Sequence, residues 1–510
     1  QEPIRLVGKL SGRRITLTPN ANKVAVQLAS VAARNGLKSI VFVNTKSDAI
    51  TVARDVAAEL DHEIAATEAE KVRWDALQVE LGDLKHAVLP QPAVAVPHNA
   101  SMLRLERDLA ERMIRRRDGA SVIVATPTLA QGLNLPAHLA ILAGDKRGDA
   151  ISQGRQSLEA PEILNAAARA GRAGHVANGV VLLIPEPIIS FSGKNLENEV
   201  IRKLKSILPE DDRCIVISDP LELILDRLMD GDPLDSDVRY FVNRMAAIDQ
   251  SEGGEKPTSL FDLRKSLGAF TARHRAAEDE FEAKITSLRA EISESLSEGV
   301  DRSVAILASQ SGMSMQLLLR NTQRIAERVG TRPKDGEGWL RWTLRWLGED
   351  QEAREALLHD VNRPILGACG YSKDGHISAS ELNLILPGIL AWIRGRPLSD
   401  IEVELGGEPQ STTFAKRICP RARELVGTVI PRGLSFVVGL VSHIVLEMGV
   451  VDSRDGVDAV LVESLATAIR KGYDTPDKVL FAVQNPNVLS RVQVHRLWEQ
   501  QYGAQVDNEH

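Results

Sequence analysis

Five short apolar segments, spaced by polar or helix-like stretches, constrain this chain more than any other feature. They are SIVFV (39–43), AVAV (93–96), SVIVA (121–125), LAILAG (139–144) and GVVLLI (179–184). Among them, residues 46–60 have helical spacing, 101–117 reads as a charged helix, and 161–172 as a further helix. A strand that is apolar without alternation is buried on both faces. Such strands alternating with helices close into a parallel sheet covered on either side. The predicted fold class is therefore α/β over residues 1–190. It opens with two short strands around Ser11 and Gly12 within residues 1–18. After Pro185 the strand pattern stops, and from 194 onward the chain reads as mostly helical. Phe281, Ile285, Leu288, Ile292 and Leu296 mark one apolar face of a long helix. The polar stretch DQSEGGEKPT (249–258) reads as a linker or exposed loop.

Two segments of the α/β half carry chemistry. SVIVATPTLAQGLNLP (121–136) is a strand running into a Thr-rich, Gly-containing turn, and EILNAAARAGRAG (162–174) is a helix with Arg169 and Arg172 three apart. Residues three apart share a helix face, so both guanidinium groups can reach one anion. The carboxyl ends of parallel strands are where such sheets hold ligands. The alternative is a pair of surface arginines matched to Glu159 or Glu162. The neighbouring motifs favour the phosphate reading.

Those motifs resemble a superfamily 2 helicase of the superkiller-type branch, over residues 1–190. SIVFVNTKSDAITVA (39–53) resembles motif IV, the block 94–137 runs continuously into motif V, and ARAGRAG resembles motif VI. The resemblance implies a second RecA-like lobe. In it, Arg169 and Arg172 are the arginine fingers, and Gly132, Asn134, Asn165 and Gly171 lie beside the nucleotide. Asn44, Thr45, Lys46, His98, Asn99, Thr126 and Thr128 would lie along the nucleic acid. Asn44 as a helix cap and His98 as an ordinary loop histidine are the alternatives for their groups. Ala168 stands where the family has Gly, and Asn165 where it usually has Gln, which puts the reach of Asn165 in doubt. DKRGDAISQGRQSLEA (145–160) falls where relatives carry a strand-separating hairpin. There Lys146, Arg147 and Arg155 contact an opened duplex or are plain surface charges.

No GxxxxGK[ST] and no DExH occurs in the 510 residues. The parts that bind the triphosphate and Mg²⁺ are thus missing from this chain. We expect it to supply half of an ATP site, to be inactive alone, and to need a first lobe preceding Gln1 or arriving as a separate piece. The implied function is the C-terminal half of an ATP-dependent helicase or translocase, with ATP and Mg²⁺ as cofactors and single-stranded or partly duplex nucleic acid as partner. The wording EILNAAARAGRAG and the helical tail also resemble the helicase subunit of Hachiman-type antiphage systems, which implies a nuclease partner. The alternative function is a non-catalytic nucleic-acid-binding or docking scaffold derived from a helicase.

The resemblance implies a winged-helix-like region over 191–335 and a helical bundle over 336–510. LASQSGMSMQLLLRNTQRI (307–325) has helix-turn-helix spacing, and PGILAWIRGRPLSDIEVELGG (387–407) resembles a bundle helix pair. Trp339, Trp342 and Trp346 form a stripe that reads first as core and second as a base-stacking platform. GYSKDGHISASE (370–381) imitates a calcium loop, but only Asp374 and Glu381 offer carboxylates, so no metal is expected.

Composition sets the outer limits. At 510 residues the chain is long enough for about three domains. Net charge is -7 and the pI near 6.0, which excludes a generally basic coat but not a local basic channel. Cys214, Cys369 and Cys419 are far apart and form no Cys/His cluster, which fits a reduced, cytoplasmic compartment. The most apolar stretch, LSFVVGLVSHIVLEMGVV (434–451), carries Ser435, Ser442, His443 and Glu447 and reads as a buried helix rather than a membrane span.

Overall fold

The computed structural model describes residues 8–11, 14–17, 20–61, 63–89, 93–126, 135, 137–144, 146–148, 155–157, 179–184, 220–229, 236–251, 263–295, 302–311, 313–327, 333, 335–358, 361, 377–410, 418–447 and 458–506. They form an α/β, RecA-like domain followed by a helical region. By internal packing they fall into two compact units. One holds the described residues of Gln1–Ile215, Arg396–Gly427 and Pro486–Arg496; the other holds those of Val216–Gly395, Thr428–Asn485 and Leu497–His510.

In the first unit, β1 (Gly8–Ser11) and β2 (Arg14–Leu17) pair antiparallel. The five-stranded sheet consists of β3 (Ser39–Phe42), β4 (Ala95–His98), β5 (Val122–Ala125), β6 (Leu139–Ala143) and β9 (Val180–Ile184). Its order is β4-β5-β3-β6-β9 and every pairing is parallel. Every residue of β3 to β6 in this sheet is buried, as uninterrupted apolar runs require, whereas the edge strand β9 begins exposed. Between β6 and β9, β7 (Lys146–Gly148) and β8 (Arg155–Ser157) form an antiparallel hairpin within the 145–160 segment.

Three helices pack on the sheet, α1 (Ala21–Arg34), α2 (Lys46–Leu60) and α4 (Arg104–Arg115), and α3 (Glu68–Leu81) packs against α4. Ala21, Ala25 and Ala29 of α1 and Ala49, Val52, Ala53 and Val56 of α2 share one core with Val41, Val124 and Ile141. Their small side chains let the helix axes approach the sheet closely. The alternate strand residues Ile40, Phe42, Ile123 and Leu142 face the other way, as the two-residue period of a strand requires. On α4, Leu109, Ala110, Met113 and Ile114 are buried. α3 starts on a Thr67–Glu70 capping box and ends on Gly82 in the left-handed region (φ 87°).

The second unit is helical. Phe281, Ile285, Leu288 and Ile292 are the buried face of the helix Glu278–Ser295, as their spacing predicts; Leu296 lies outside the described residues. Helices Arg302–Ser311 and Met315–Glu327 flank the predicted turn, with Ala308 and Leu318 fully buried. Trp339 and Trp346 are core, the latter donating Nε1–H to Asn321 Oδ1 at 3.1 Å; Trp342 is half-buried and stacks on Trp346 with centroids 6.1 Å apart. The stretch Pro420–Leu446 is long and apolar enough to cross a membrane by length and composition, and 67% of its most apolar window is buried within the protein. Of the calcium-loop imitation only Ile377–Glu381 is described, and no cluster of three metal-ligating side chains occurs among the described residues.

Candidate nucleic-acid interface

Because the five strands run parallel, their carboxyl ends share one edge. The order β4-β5-β3 makes three of those ends adjacent, with His98, Ala125 and Phe42 on level rungs. His98 and Asn99 end β4, Thr126 follows β5, and Asn44, Thr45 and Lys46 follow β3. Six predicted nucleic-acid residues, separated by up to 82 positions in sequence, thus converge on one corner of the sheet. Thr128 lies outside the described residues. So do Gly132, Asn134, Asn165, Arg169, Gly171 and Arg172, the whole nucleotide-facing set.

The convergent residues differ in what they have left to offer. Thr45, not Asn44, caps α2: its Oγ1 accepts from the Asp48 N–H at 3.0 Å and donates to Asp48 Oδ2 at 2.7 Å. Asn44 is half-buried with no side-chain hydrogen bond among the described residues. Lys46 opens α2, its Nζ a long 4.0 Å from Glu424 Oε2. Asn99, 2% exposed, is spent on the frame: its Oδ1 accepts from both the N–H (2.9 Å) and the hydroxyl (2.6 Å) of Ser101. Its Nδ2 reaches toward the Lys46 carbonyl at 3.4 Å, tying the β4 loop to the start of α2. Thr126 is buried.

His98 is buried with Nε2 3.2 Å from Glu111 Oε1. Burial holds its pKa below the ordinary histidine value; Glu111 opposes this and Arg107 adds to it. Burial thus works against its serving as a cation for phosphate.

Two residues that the sequence reading did not single out complete the corner. Arg104 is exposed and Arg107 half-buried in the first turn of α4, and neither makes an ion pair among the described residues. Their neighbours are committed: Arg112 to Asp108, Arg115 to Glu111, and Arg116 to Glu70. The first turn of a helix favours anions, so arginines there gain nothing from their own helix. That mismatch is the signal the sequence did carry. The start of α2 lies at the same edge, where its first N–H groups add to the attraction of Lys46, Arg104 and Arg107 for an anion, with Asp48 in the same turn opposing it.

Comparison with known proteins gives the corner a context. The chain is 32% identical over 171 residues to the RQC trigger complex helicase SLH1 of Saccharomyces cerevisiae, a match covering 32% of this chain and 8% of that protein. It is 34% identical over 172 residues to the ATP-dependent DNA helicase Hel308 of Thermoplasma acidophilum, covering 30% of this chain and 24% of that protein. A third match, 32% over 153 residues, is the U5 small nuclear ribonucleoprotein 200 kDa helicase of Drosophila melanogaster, covering 28% of this chain and 7% of that protein. The similarity is to superfamily 2 helicases. The chain matches less than a quarter of the length of each of these relatives. No family model matches it.

Proposed function

We propose that this chain is the second motor lobe and helical region of an ATP-dependent nucleic-acid helicase or translocase, working with a first lobe that brings the phosphate loop. The observation that carries the reading is the corner where β4, β5 and β3 end together. Two arginines without an ion pair among the described residues, Lys46, the Asn44 amide and two helix starts gather there, in a chain similar to helicases. A grip built from these groups meets phosphates and ribose rather than base edges, so it tolerates any sequence, as stepping along a strand requires. Arg104 and Arg107 neutralise phosphates, and Lys46 and Asn44 extend the track across β3. Asn99 keeps the two loops in register. In this reading ATP supplies the phosphoanhydride whose cleavage resets the lobes, and Arg169 and Arg172 are assigned as its sensors. A nuclease partner belongs to the narrower Hachiman-type version of the same reading.

Binding to a labelled homopolymeric single strand tests the grip. Arg104→Ala and Arg107→Ala each weaken binding and flatten its salt dependence, by about 0.7 in log–log slope per lost phosphate contact. Wild-type affinity and slope in both variants would sink the assignment. The scaffold reading, motivated by Ala168 and the missing phosphate loop, differs in one measurement. In the protein with both lobes present, Arg169→Ala and Arg172→Ala abolish nucleic-acid-stimulated ATP hydrolysis if the chain is a motor lobe and change nothing if it is a scaffold.

A further inference from the structure

Arg423 lies far from the strands in sequence, yet its guanidinium sits beneath the candidate interface with all five N–H groups used. Nη1 donates to Glu106 Oε2 at 2.6 Å and to the Ser101 carbonyl at 3.3 Å. Nη2 donates to Glu106 Oε1 and to the His86 carbonyl, both at 2.9 Å, and Nε to the Ile418 carbonyl at 3.1 Å. Glu106, with no exposed surface, also accepts from the Leu103 N–H and the Val88 N–H, each at 2.8 Å. A bidentate pair with both partners saturated is rigid and tolerates no partial replacement.

The pair clamps one loop from two sides. Its guanidinium holds the Ser101 carbonyl and its carboxylate holds the Leu103 N–H, on either side of Met102. That loop leaves β4 at His98 and Asn99 and delivers Arg104 and Arg107. A second buried pair is anchored elsewhere: Glu80, at the end of α3, meets Arg491 Nε at 3.1 Å, the Ser490 hydroxyl at 2.9 Å and the Val492 N–H at 3.3 Å. These contacts lie away from the β4 loop.

We propose that Arg423 is a positioning residue for the nucleic-acid edge, setting through Glu106 and Ser101 the loop that aims Arg104 and Arg107. The inference rests on the nucleic-acid reading above. Arg423→Lys, which keeps the charge and loses the fork, tests it beside Arg491→Lys, the same change in the second pair. Arg423→Lys weakens single-strand binding roughly fivefold or more and speeds hydrogen exchange at the Ser101, Met102 and Leu103 amides, at temperatures where both variants are folded. Arg491→Lys lowers the melting temperature and leaves binding and those amides at wild-type values. Equal loss of binding in both variants, or unchanged exchange at 101–103 in Arg423→Lys, overturns the proposal. A wild-type protein that binds no single strand removes the nucleic-acid reading instead, and the exchange result still reports whether the clamp exists.

Discussion

Single residues here are set as much by what they already hold as by where they sit. His98, Asn99 and Thr45 are in the corner the sequence implies, but Asn99 and Thr45 spend their polar atoms on the local backbone. Glu402, buried beside the Ala422 N–H that donates to its Oε2 at 2.7 Å, shows the cost of such a position. Burial pushes its carboxyl up to about 7, against the pull of that N–H and of Arg421 and Arg423. The folded state therefore binds a proton that the unfolded chain has released. The stabilisation is full below the unfolded carboxylate range and is lost as pH rises through about 7. Glu402→Gln should raise the melting temperature at pH 8, by up to ~3 kcal/mol of stability, and leave it unchanged at pH 4. A variant with the same pH profile as wild type would show that Glu402 is not the group responsible. Cys419 is likewise buried and pushed up to about 12 by desolvation. It should resist alkylation in the native protein and react only on unfolding, which mass spectrometry of the modified peptide reads directly.

At the level of elements, the sheet was plain in the sequence because most of its strand positions fall in unbroken apolar runs, a signal that needs no partner to be read. The AVAV segment shows the limit. The strand runs Ala95–His98, two residues later than the apolar run, because pairing with β5 rather than hydrophobicity sets its ends. α3 went unread because EAEKVRWDALQVEL carries a charge in every turn and no single apolar stripe. Its buried Glu70 and Glu80 are satisfied by Arg116 and Arg491, which only the fold brings near. The arginines of the α4 first turn were legible in principle, as misplaced charges, but a run of mixed charge hides which of them are paired. The end of α3 gives a sharp test. A Cβ on Gly82 would stand 2.4 Å from Ser399 Oγ, in a backbone with φ of 87° that side chains disfavour. Gly82→Ala should cost about 1–3 kcal/mol by chemical denaturation, and a neutral result would mean the helix Leu398–Glu404 does not press on that turn.

Across the whole molecule, the first unit is assembled from three stretches, and its last two come from beyond residue 395. Arg423 and Arg491 gave no hint of this, since an arginine's partner hundreds of positions away leaves no local pattern. A fragment ending at residue 215 would leave Glu80 and Glu106 without their guanidinium partners and uncover the apolar surface under Leu398 and Ile401. Such a fragment should aggregate or exchange its amides as an unfolded chain, whereas a well-folded fragment of wild-type stability would contradict the packing. The 411-residue separation of Glu80 and Arg491 also dictates a timetable. A ribosome releases the N-terminal sheet long before it has made the residue that neutralises α3. The nascent lobe stays open at one flank until the helix that begins at Arg491 emerges. A stop anywhere before Arg491 leaves the lobe without the contact that closes Glu80.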